Sequence, residues 1–199
     1  MDLIKACVSK DTEKALDLIF ELYKVQFKMN NDTNLGIVDN YGCTALHYAC
    51  RNEMKEVALE LIKTGYAKPE QVDMNGNTAL TWACQNGMTE VALELIKMGH
   101  MNLGQVVQHD NTVLILACRS KMKEVALELI KTGKSNPEQI TEDGKTAFIW
   151  ACENDMKEVA YELVSIGAFT INELLFLKPE WVPEELLIMK PVDVTEVDI

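Results

Sequence analysis

The chain contains the stretch Thr44-Ala45-Leu46-His47-Tyr48-Ala49-Cys50, and the same framework returns three more times. The later copies read Thr78-Ala79-Leu80-Thr81-Trp82-Ala83-Cys84, Thr112-Val113-Leu114-Ile115-Leu116-Ala117-Cys118 and Thr146-Ala147-Phe148-Ile149-Trp150-Ala151-Cys152. Successive copies start 34 residues apart. A constant period of this length is typical of stacked repeat proteins, in which each unit packs on its neighbours. We therefore predict a solenoid.

Two short helices are predicted for each unit. Thr44 stands where an N-cap residue is expected, and Leu46, Ala49 and Cys50 follow at the i, i+3, i+4 spacing of one helix face. A second helical pattern comes next and ends at a glycine, where a left-handed C-terminal residue is expected. The second helices span Glu56 to Lys63, Glu90 to Lys97, Glu124 to Lys131 and Glu158 to Ser165, and the glycines are Gly65, Gly99, Gly133 and Gly167.

These motifs resemble the ankyrin repeat. The first unit reads Asp39-x-x-Gly42-x-Thr44-Ala45-Leu46-His47-x-Ala49 and then Glu56-Val57-Ala58-x-x-Leu61-Ile62-x-x-Gly65, with Ala45 where that family usually has proline. The resemblance covers residues 39–168 and implies an all-α, ankyrin-type helix-turn-helix solenoid with four full repeats of period 34. The units also resemble in sequence the ankyrin arrays of large DNA viruses and intracellular bacteria, and this resemblance implies a host-pathogen interaction.

Two features depart from the family pattern. The usual ankyrin period is about 33 residues, and the extra residue falls after the glycine, in residues 66–72 and 134–140. Asn136 before Pro137 resembles a cap followed by the first position of a helix, so we predict a short helical turn there. The family also tends to place glycine where the first helix ends, as Gly87 does. The equivalent positions hold Glu53, Lys121 and Asp155, which leaves the backbone conformation there undetermined.

Both flanks are predicted to cap the array with helices. Residues 1–38 are expected to form an N-terminal capping repeat with a longer second helix and an extended loop, because Ala6-Cys7 begins a unit that no hairpin precedes. Residues 169–190 are predicted to form a C-terminal cap, and residues 191–199 an acidic tail. Within the cap, residues 183–188 resemble the opening helix of an F-box.

The six cysteines indicate neither a disulfide nor a zinc site. Four of them share one helical position, where neighbouring helices are about 8–10 Å apart, too far for either. We predict that they are small buried apolar residues. Cys7 aligns with this set, whereas Cys43 falls at a hairpin tip and is predicted to be the accessible thiol. The four are Cys50, Cys84, Cys118 and Cys152.

Charge and hydropathy exclude several classes of partner. The net charge of −12 at pH 7 opposes phosphate binding and no Lys/Arg stripe interrupts it, so we predict no nucleic-acid partner. No apolar run is long enough to span a bilayer, and residues 1–7 lack the core of a signal peptide. We therefore predict a cytoplasmic monomer without membrane contact, located in the host cell's cytoplasm if the array is viral or bacterial.

No catalytic, cofactor or metal site is predicted. His47, His100 and His109 lie in different units without metal-ligand spacing, and neither a Gly-rich phosphate loop nor a nucleophile elbow is present. The resemblance implies that His47 hydrogen-bonds within the scaffold. We predict a non-enzymatic protein.

The four copies differ mainly at the hairpin tips and on the first helix, which line the concave face in the ankyrin family. Because packing requires the recurring residues, we predict that the varying residues contact a partner protein. They are Asn40, Met74, Gln108 and Glu142; Tyr41, Asn75, His109 and Asp143; Cys43, Asn77, Asn111 and Lys145; and Arg51, Gln85, Arg119 and Glu153.

A further set of large side chains, here called the ladder, occupies one repeated position of the first helix. Its members are Tyr48, Trp82, Leu116 and Trp150. They follow Leu46 and its equivalents by two residues, about 200° around the helix. Two interpretations remain open: the ladder wedges between successive first helices, or it is partly exposed in the groove. Aromatic and Arg residues often carry binding energy, so the aromatic members Tyr48, Trp82 and Trp150 are included among the predicted binding residues.

Two hypotheses about function follow. The first is a protein-protein interaction module, a scaffold whose concave groove binds a partner protein. The alternative is an adaptor whose F-box-like segment recruits ubiquitin ligase machinery. They differ in whether residues 178–199 bind anything when the groove is blocked.

Overall fold

The structure is a computed structural model, and it describes residues 1–29, 34–99 and 101–168. These residues form ten α-helices and two short 3-10 turns. The helices are α1 (Asp2–Val8), α2 (Thr12–Met29), α3 (Ala45–Arg51), α4 (Lys55–Thr64), α5 (Ala79–Gln85), α6 (Thr89–Met98), α7 (Val113–Arg119), α8 (Lys123–Lys131), α9 (Ala147–Glu153) and α10 (Lys157–Ser165). The 3-10 turns are Asn34–Gly36 and Gln108–Asp110. Within the described ranges the predicted all-α solenoid is confirmed.

Five helix pairs stack in two layers. The pairs belong to the N-terminal unit (residues 1–38), unit 1 (39–72), unit 2 (73–106), unit 3 (107–140) and unit 4 (141–168). The first helices, α1, α3, α5, α7 and α9, pack on one another in chain order, and so do the second helices, α2, α4, α6, α8 and α10. Since neither helix of a unit can bury both of its faces alone, one continuous core runs through the stack.

The core lies between the two layers. First helices contribute Leu46, Leu80, Leu114 and Phe148, and second helices contribute Leu61, Leu95, Leu129 and Leu163, all fully buried. Ala49 and its equivalents are also fully buried, and their small side chains let neighbouring first helices approach closely. The apolar spacing read from the sequence therefore marks the core face correctly.

The first helices of units 1 to 4 are each capped by a threonine. The Thr44 side-chain oxygen accepts a hydrogen bond from the backbone N–H of His47, and Thr78, Thr112 and Thr146 accept the equivalent bond in their units. These bonds satisfy a backbone donor that the helix itself leaves unpaired. The second helices α4 and α6 end at Gly65 and Gly99, with left-handed φ angles of 75° and 72°. The predicted caps are confirmed.

In units 1 to 4 the turns between first and second helices share one backbone conformation. Gly87 has a φ of 67°, and the equivalent residues Glu53, Lys121 and Asp155 have φ angles of 59°, 57° and 56°. A side chain in this left-handed region costs about 1–2 kcal/mol. The packing of the two helices imposes the turn whichever residue is present, so replacing glycine adds strain without changing the path of the chain.

The C-terminal ends of the first helices are bound to the preceding unit by side chains. Asn86 Nδ2 donates to the carbonyl oxygens of Cys50 and Arg51, both at 3.0 Å. Equivalent bonds run from Asn52 to Cys7, from Ser120 to Gln85 and from Asn154 to Cys118. Helices of seven residues leave their last carbonyl groups unpaired, so these bonds both satisfy the backbone and set the stacking distance.

The predicted short helical turn at residues 134–140 is wrong. Asn136 has a left-handed φ of 48°, and the Gln139 N–H donates to its carbonyl oxygen at 3.3 Å, which closes a single turn. Lys68 adopts the same conformation, with a φ of 49°. The proline that follows each of these residues disfavours the right-handed helical region for them. The chain therefore reverses here instead of starting a helix.

The N-terminal unit has the longer second helix that the sequence predicts, since α2 has 18 residues and α4 has 10. Part of the predicted extended loop, residues 30–33, lies outside the described residues. The same holds for the predicted C-terminal cap (169–190) and the acidic tail (191–199), and thus for the F-box-like segment. These segments therefore stay predictions.

Candidate functional site

Asp39 organises the hairpin tip of unit 1. Its Oδ1 accepts the backbone N–H groups of Tyr41 (2.9 Å) and Cys43 (3.0 Å). Its Oδ2 accepts the Tyr48 hydroxyl at 2.7 Å, which joins the tip to the first helix. Burial raises the pKa of Asp39, but the hydrogen bonds, that of Tyr48 first, outweigh burial and hold the pKa below its usual value.

Asp73 organises the tip of unit 2 in the same way. Its Oδ1 accepts the backbone N–H groups of Asn75 and Asn77, both at 2.9 Å. The Asn77 amide also donates to Asp73 Oδ2 at 3.2 Å. Asn77 is consequently buried inside the hairpin, so its predicted position on the binding surface is corrected.

The hairpin tip of unit 3 lacks both the aspartate and the glycine. Val107 and Asp110 stand in their places, and His109 and Asp110 have left-handed φ angles of 59° and 56°. Asn111 Nδ2 donates to the carbonyl oxygen of Gln108 at 2.9 Å and to that of His109 at 3.3 Å. Asn111 is therefore buried as well, because its side chain closes the tip from inside.

Neighbouring tips are bonded to each other. The Met74 N–H donates to the Tyr41 carbonyl oxygen at 2.9 Å, which links units 1 and 2. His109 Nδ1 lies 3.0 Å from Glu142 Oε2, which links units 3 and 4. The side chains in the second link are exposed. These bonds join the tips in two pairs, units 1 and 2 and units 3 and 4.

The ladder is partly buried, and its members differ. Tyr48, Trp82 and Trp150 pack against the core while part of each stays exposed. Leu116 is only 4% exposed and belongs to the core. Each of the two open interpretations therefore describes part of the ladder, since the aromatic members are both wedged between helices and accessible.

Two cations lie over the tryptophans. The Arg51 guanidinium of unit 1 is 5.2 Å from the ring centre of Trp82 in unit 2. The Lys145 ammonium is 4.1 Å from the ring centre of Trp150, and its Nζ lies 2.7 Å from Glu153 Oε2. Such cation–π contacts contribute about 0.5–1 kcal/mol each at exposed sites. The hairpin tips, the ladder and the residues three positions after each ladder member are here called the ladder surface; those last residues are Arg51, Gln85, Arg119 and Glu153.

Both tryptophans leave their indole N–H unpaired. Nε1 of Trp82 and Nε1 of Trp150 are buried and have no hydrogen-bond acceptor. An unpaired buried donor costs about 1–3 kcal/mol. Leu116 shows that the same helix position accepts an aliphatic side chain without this cost. Packing alone therefore does not account for tryptophan at this position.

His47 belongs to the scaffold, as the resemblance implies. Its Nδ1 accepts the Thr44 N–H at 3.1 Å, so the proton is on Nε2, which donates to the Asn77 carbonyl oxygen at 3.2 Å. The neutral ring joins unit 1 to unit 2. Burial lowers the pKa of His47 below its usual value, because a charged imidazolium is unfavourable in this position.

Cys43 is buried, so the prediction of an accessible thiol is wrong. Its carbonyl oxygen accepts the Asp39 N–H at 3.0 Å, which closes the hairpin. The Cys43 side chain lies on the inner side of this hairpin and is buried. Burial raises its pKa to about 11, so little reactive thiolate forms at neutral pH. Cys50, Cys84 and Cys118 are free and buried as predicted, whereas Cys152 is half-buried.

Most predicted binding residues lie at the surface. Those exposed are Asn40, Tyr41, Arg51, Met74, Asn75, Gln85, Gln108, His109, Arg119, Glu142 and Asp143. Those half-buried are Tyr48, Trp82, Lys145, Trp150 and Glu153, and those buried are Cys43, Asn77 and Asn111. Contact of the exposed residues with a partner stays a prediction.

A row of exposed β-branched residues was not predicted from the sequence. Val38, Val72, Val106 and Ile140 occupy one repeated position and are 42%, 39%, 40% and 57% exposed. Each directly precedes a hairpin tip, so the row extends the ladder surface. The 34-residue spacing of this row is visible in the sequence. Recurring apolar residues are, however, the ones expected in the core of a repeat protein.

Residues 1–29, 34–99 and 101–168 contain neither a metal-binding cluster nor a membrane-spanning helix. Within these ranges, no group of three or more His, Cys, Asp or Glu side chains is arranged to hold a metal ion. No helix there combines the length and apolar character that crossing a membrane requires.

Comparison with known families identifies the repeats. A family model described as ankyrin repeats (3 copies) matches residues 3–105 and residues 100–173. The two matches together cover more than half of the chain. A comparison with curated proteins gives no match.

Proposed function

The chain belongs to the ankyrin-repeat family, and we propose that it binds a segment of a partner protein along the ladder surface. Ankyrin repeats are generally protein-protein interaction modules, and the family is typically non-enzymatic. We infer that the ladder surface makes the contact and that its aromatic side chains supply the affinity.

The observation that carries the proposal is the pair of half-exposed tryptophans. Trp82 and Trp150 each keep an unpaired indole N–H, although leucine fits the equivalent position of unit 3. Each ring also lies beneath a cation from the same surface. Trp and Arg are the residues that most often dominate binding energy. A cost in stability at these positions is understandable if the rings contact a partner.

The surroundings of the tryptophans suit an interface. The hairpin tips add Tyr41 and Met74, which are exposed apolar side chains, and the row from Val38 to Ile140 lies next to them. Contiguous exposed apolar surface rimmed by polar groups is typical of interaction sites. We infer that the partner presents an apolar strip that runs along the stack.

The alternative adaptor function depends on residues 183–188. These residues lie outside the described part of the chain, so no contact supports the recruitment of ubiquitin ligase machinery. Affinity purification from the native host cell with and without residues 178–199 distinguishes the two functions, because only the adaptor loses a partner on truncation.

Trp82→Leu tests the proposal directly. We expect this variant to weaken binding of the partner recovered by affinity purification by about 2 kcal/mol or more, because a hot-spot ring is removed. Its free energy of unfolding should change by less than about 1 kcal/mol, because the lost contacts are offset by removal of an unpaired donor. Calorimetric titration and urea unfolding measure the two effects.

Tyr66→Leu is the matched control. Tyr66 is an exposed aromatic residue that follows α4 in the other helical layer, so this variant should bind normally. Lost stability with unchanged affinity in Trp82→Leu would assign the ladder to the core and contradict the proposal.

A further inference from the structure

The junctions between units 1 to 4 differ in the polar contacts that cross them. At the junction of units 1 and 2, the Asn86 side chain donates to two carbonyl oxygens of unit 1, both at 3.0 Å. Lys55 forms an ion pair with Glu90, and the His47 ring donates to a unit 2 carbonyl oxygen at 3.2 Å. A backbone hydrogen bond joins the two hairpin tips. This junction is therefore held at its tips, at its helix ends and between its second helices.

The junction of units 3 and 4 repeats most of this pattern. Asn154 donates to a carbonyl oxygen of α7 at 2.9 Å, and Lys123 forms an ion pair with Glu158 at 2.6 Å. The hairpin tips are joined by the contact of His109 with Glu142 at 3.0 Å. The two junctions on either side of units 2 and 3 are therefore fixed by the same kinds of contact.

The junction of units 2 and 3, here called the central junction, has one direct hydrogen bond among the described residues. The Ser120 hydroxyl donates to the Gln85 carbonyl oxygen at 3.3 Å, whereas both other junctions have an asparagine at this position. Thr89 stands where units 1 and 3 have the lysine of the ion pair. Glu124, the equivalent of Glu90, consequently has no ion-pair partner in the described ranges.

The hairpin tips of units 2 and 3 also lack a direct bond within the part of the chain that the structure describes. The Gln105 side chain, just before the tip of unit 3, donates to the Gly76 carbonyl oxygen at 2.9 Å, but both residues belong to unit 2. Thr81 occupies the position of His47, and its hydroxyl donates to the Thr78 carbonyl oxygen of its own unit at 2.7 Å. The contact across the central junction is therefore mainly apolar.

We propose that the array moves as two halves that pivot and open at the central junction, with the units up to unit 2 in one half and units 3 and 4 in the other. Apolar packing is non-directional, whereas hydrogen bonds and ion pairs fix the angle between the units they join. In a stack, each junction contributes its own term to stability, so the junction with the fewest bonds opens first. Trp82 and Trp150 lie in different halves, so the pivot changes the curvature of the ladder surface.

Buried cysteines report this opening without an engineered label. Cys50, Cys84 and Cys118 occupy one position of α3, α5 and α7, which pack on one another, and all three are fully buried. Burial raises the pKa of each thiol, so N-ethylmaleimide reacts with it only after a junction opens. Alkylation of the native full chain, followed by peptide mass spectrometry, measures each rate. We expect equal rates at Cys84 and Cys118, because one opening exposes both.

A double variant assigns the opening to the central junction. Thr89→Lys with Ser120→Asn introduces the residues that the other two junctions have at these positions. It should slow alkylation of Cys84 and Cys118 at least about fivefold, because it adds an ion pair and hydrogen bonds across the junction. The rate at Cys50 should stay unchanged, because α3 does not border the central junction.

The reverse exchange at the junction of units 1 and 2 is the matched control. Lys55→Thr with Asn86→Ser removes an ion pair and two hydrogen bonds there. Alkylation of Cys50 should become at least about fivefold faster, whereas the rate at Cys118 should not change.

Three results would overturn the proposal. Unequal rates at Cys84 and Cys118 in the unchanged chain would indicate separate local openings. Equal slowing of all three cysteines in the Thr89→Lys, Ser120→Asn variant would mean that the whole array unfolds as one unit. Unchanged rates at Cys84 and Cys118 in that variant would show that the missing contacts do not control the opening. The outcome is independent of the proposed function, because alkylation requires no partner protein.

Discussion

Units 2 and 3 share a framework and differ at the ladder surface. Both begin their first helix at a capping threonine, bury a leucine two residues later and continue into nearly identical second helices. At the tip, unit 2 has a buried aspartate and a glycine, whereas unit 3 has Val107 and Asp110. On the ladder, unit 2 has Trp82 and unit 3 has Leu116. Much of the variation between these two units therefore lies at the ladder surface, although the buried residues Thr81 and Ile115 also differ.

The two hairpin tips nonetheless keep one backbone hydrogen bond. The Asp73 N–H donates to the Asn77 carbonyl oxygen, and the Val107 N–H to that of Asn111, both at 2.8 Å. Unit 2 holds this arrangement with a carboxylate, and unit 3 holds it with an amide and two left-handed residues. The stack thus determines where the hairpin lies, and local side chains only determine how it is closed.

Overpacking the shared framework should have the largest effect. Ala83→Leu and Ala117→Leu each add bulk to a fully buried site between first helices, so each should destabilise by about 3 kcal/mol. Urea unfolding followed by far-UV circular dichroism measures the loss. The exposed Gln85→Leu serves as the control and should stay within about 0.5 kcal/mol. Clearly unequal losses at the two alanines would show that the frameworks are not equivalent.

Removing the hairpin carboxylate should have the next largest effect on the free energy of unfolding, and only in unit 2. Asp73→Val leaves the N–H groups of Asn75 and Asn77 without their acceptor, which should cost about 2 kcal/mol. Val107→Asp, the reverse change in unit 3, should not stabilise comparably, because Asn111 already closes that tip. Urea unfolding distinguishes the two. Equal and opposite changes would mean that the two tips are interchangeable.

Exchanging the turn residues should have a smaller effect of opposite sign in the two units. Lys121→Gly relieves a left-handed side chain and should stabilise by about 0.5–1 kcal/mol, after the entropy of glycine in the unfolded chain is subtracted. Gly87→Ala should destabilise by about 1 kcal/mol. No atom lies within 4 Å of the added Cβ, so the cost comes from φ alone. Thermal unfolding of both variants measures the two changes in stability. Changes of the same sign would refute the prediction.

Acidification should produce the smallest effect, at the junction of units 1 and 2. The pKa of His47 is lowered in the folded state, so the unfolded chain binds the proton first. The stability is fully present above the ordinary pKa of 6.5 and falls as the pH drops below it. At the equivalent position unit 3 has Ile115, so the junction that follows it lacks this dependence.

His47→Thr checks the pH effect, because Thr81 occupies the equivalent position in unit 2. The variant should lose the fall in stability that begins as the pH drops below 6.5, measured by urea unfolding at each pH. The exposed His109→Gln should keep it. A variant of His47 whose stability still falls as steeply as that of the unchanged chain would assign the effect to other groups.

The helix caps were predictable because they are local. Thr44 bonds to a residue three positions on, and Gly65 ends its own helix, so a short window contains all the information. Asn136 was misread for the opposite reason. An Asn-Pro pair fits both a helix start and a left-handed turn, and the choice depends on where the next hairpin has to begin.

The binding surface was predictable in position but not in exposure. Asn77 and Asn111 vary among the units as surface residues do, yet both are buried because each closes its own hairpin. The exposed row that begins at Val38 was missed because it recurs as core residues do. Variation and recurrence therefore do not by themselves separate surface from core.

The sequence by itself determined the number and order of the described helices from Thr44 onward, because helical spacing and capping involve only nearby residues. The tertiary structure alone decided which side chains remain accessible. Trp82 lies beneath Arg51 of the preceding unit, and His47 donates a hydrogen bond to the Asn77 carbonyl oxygen of the following unit. These contacts join residues about one period apart. The accessibility of each side chain therefore depends on the size and charge of side chains in both units. The pattern within a single unit therefore cannot contain them.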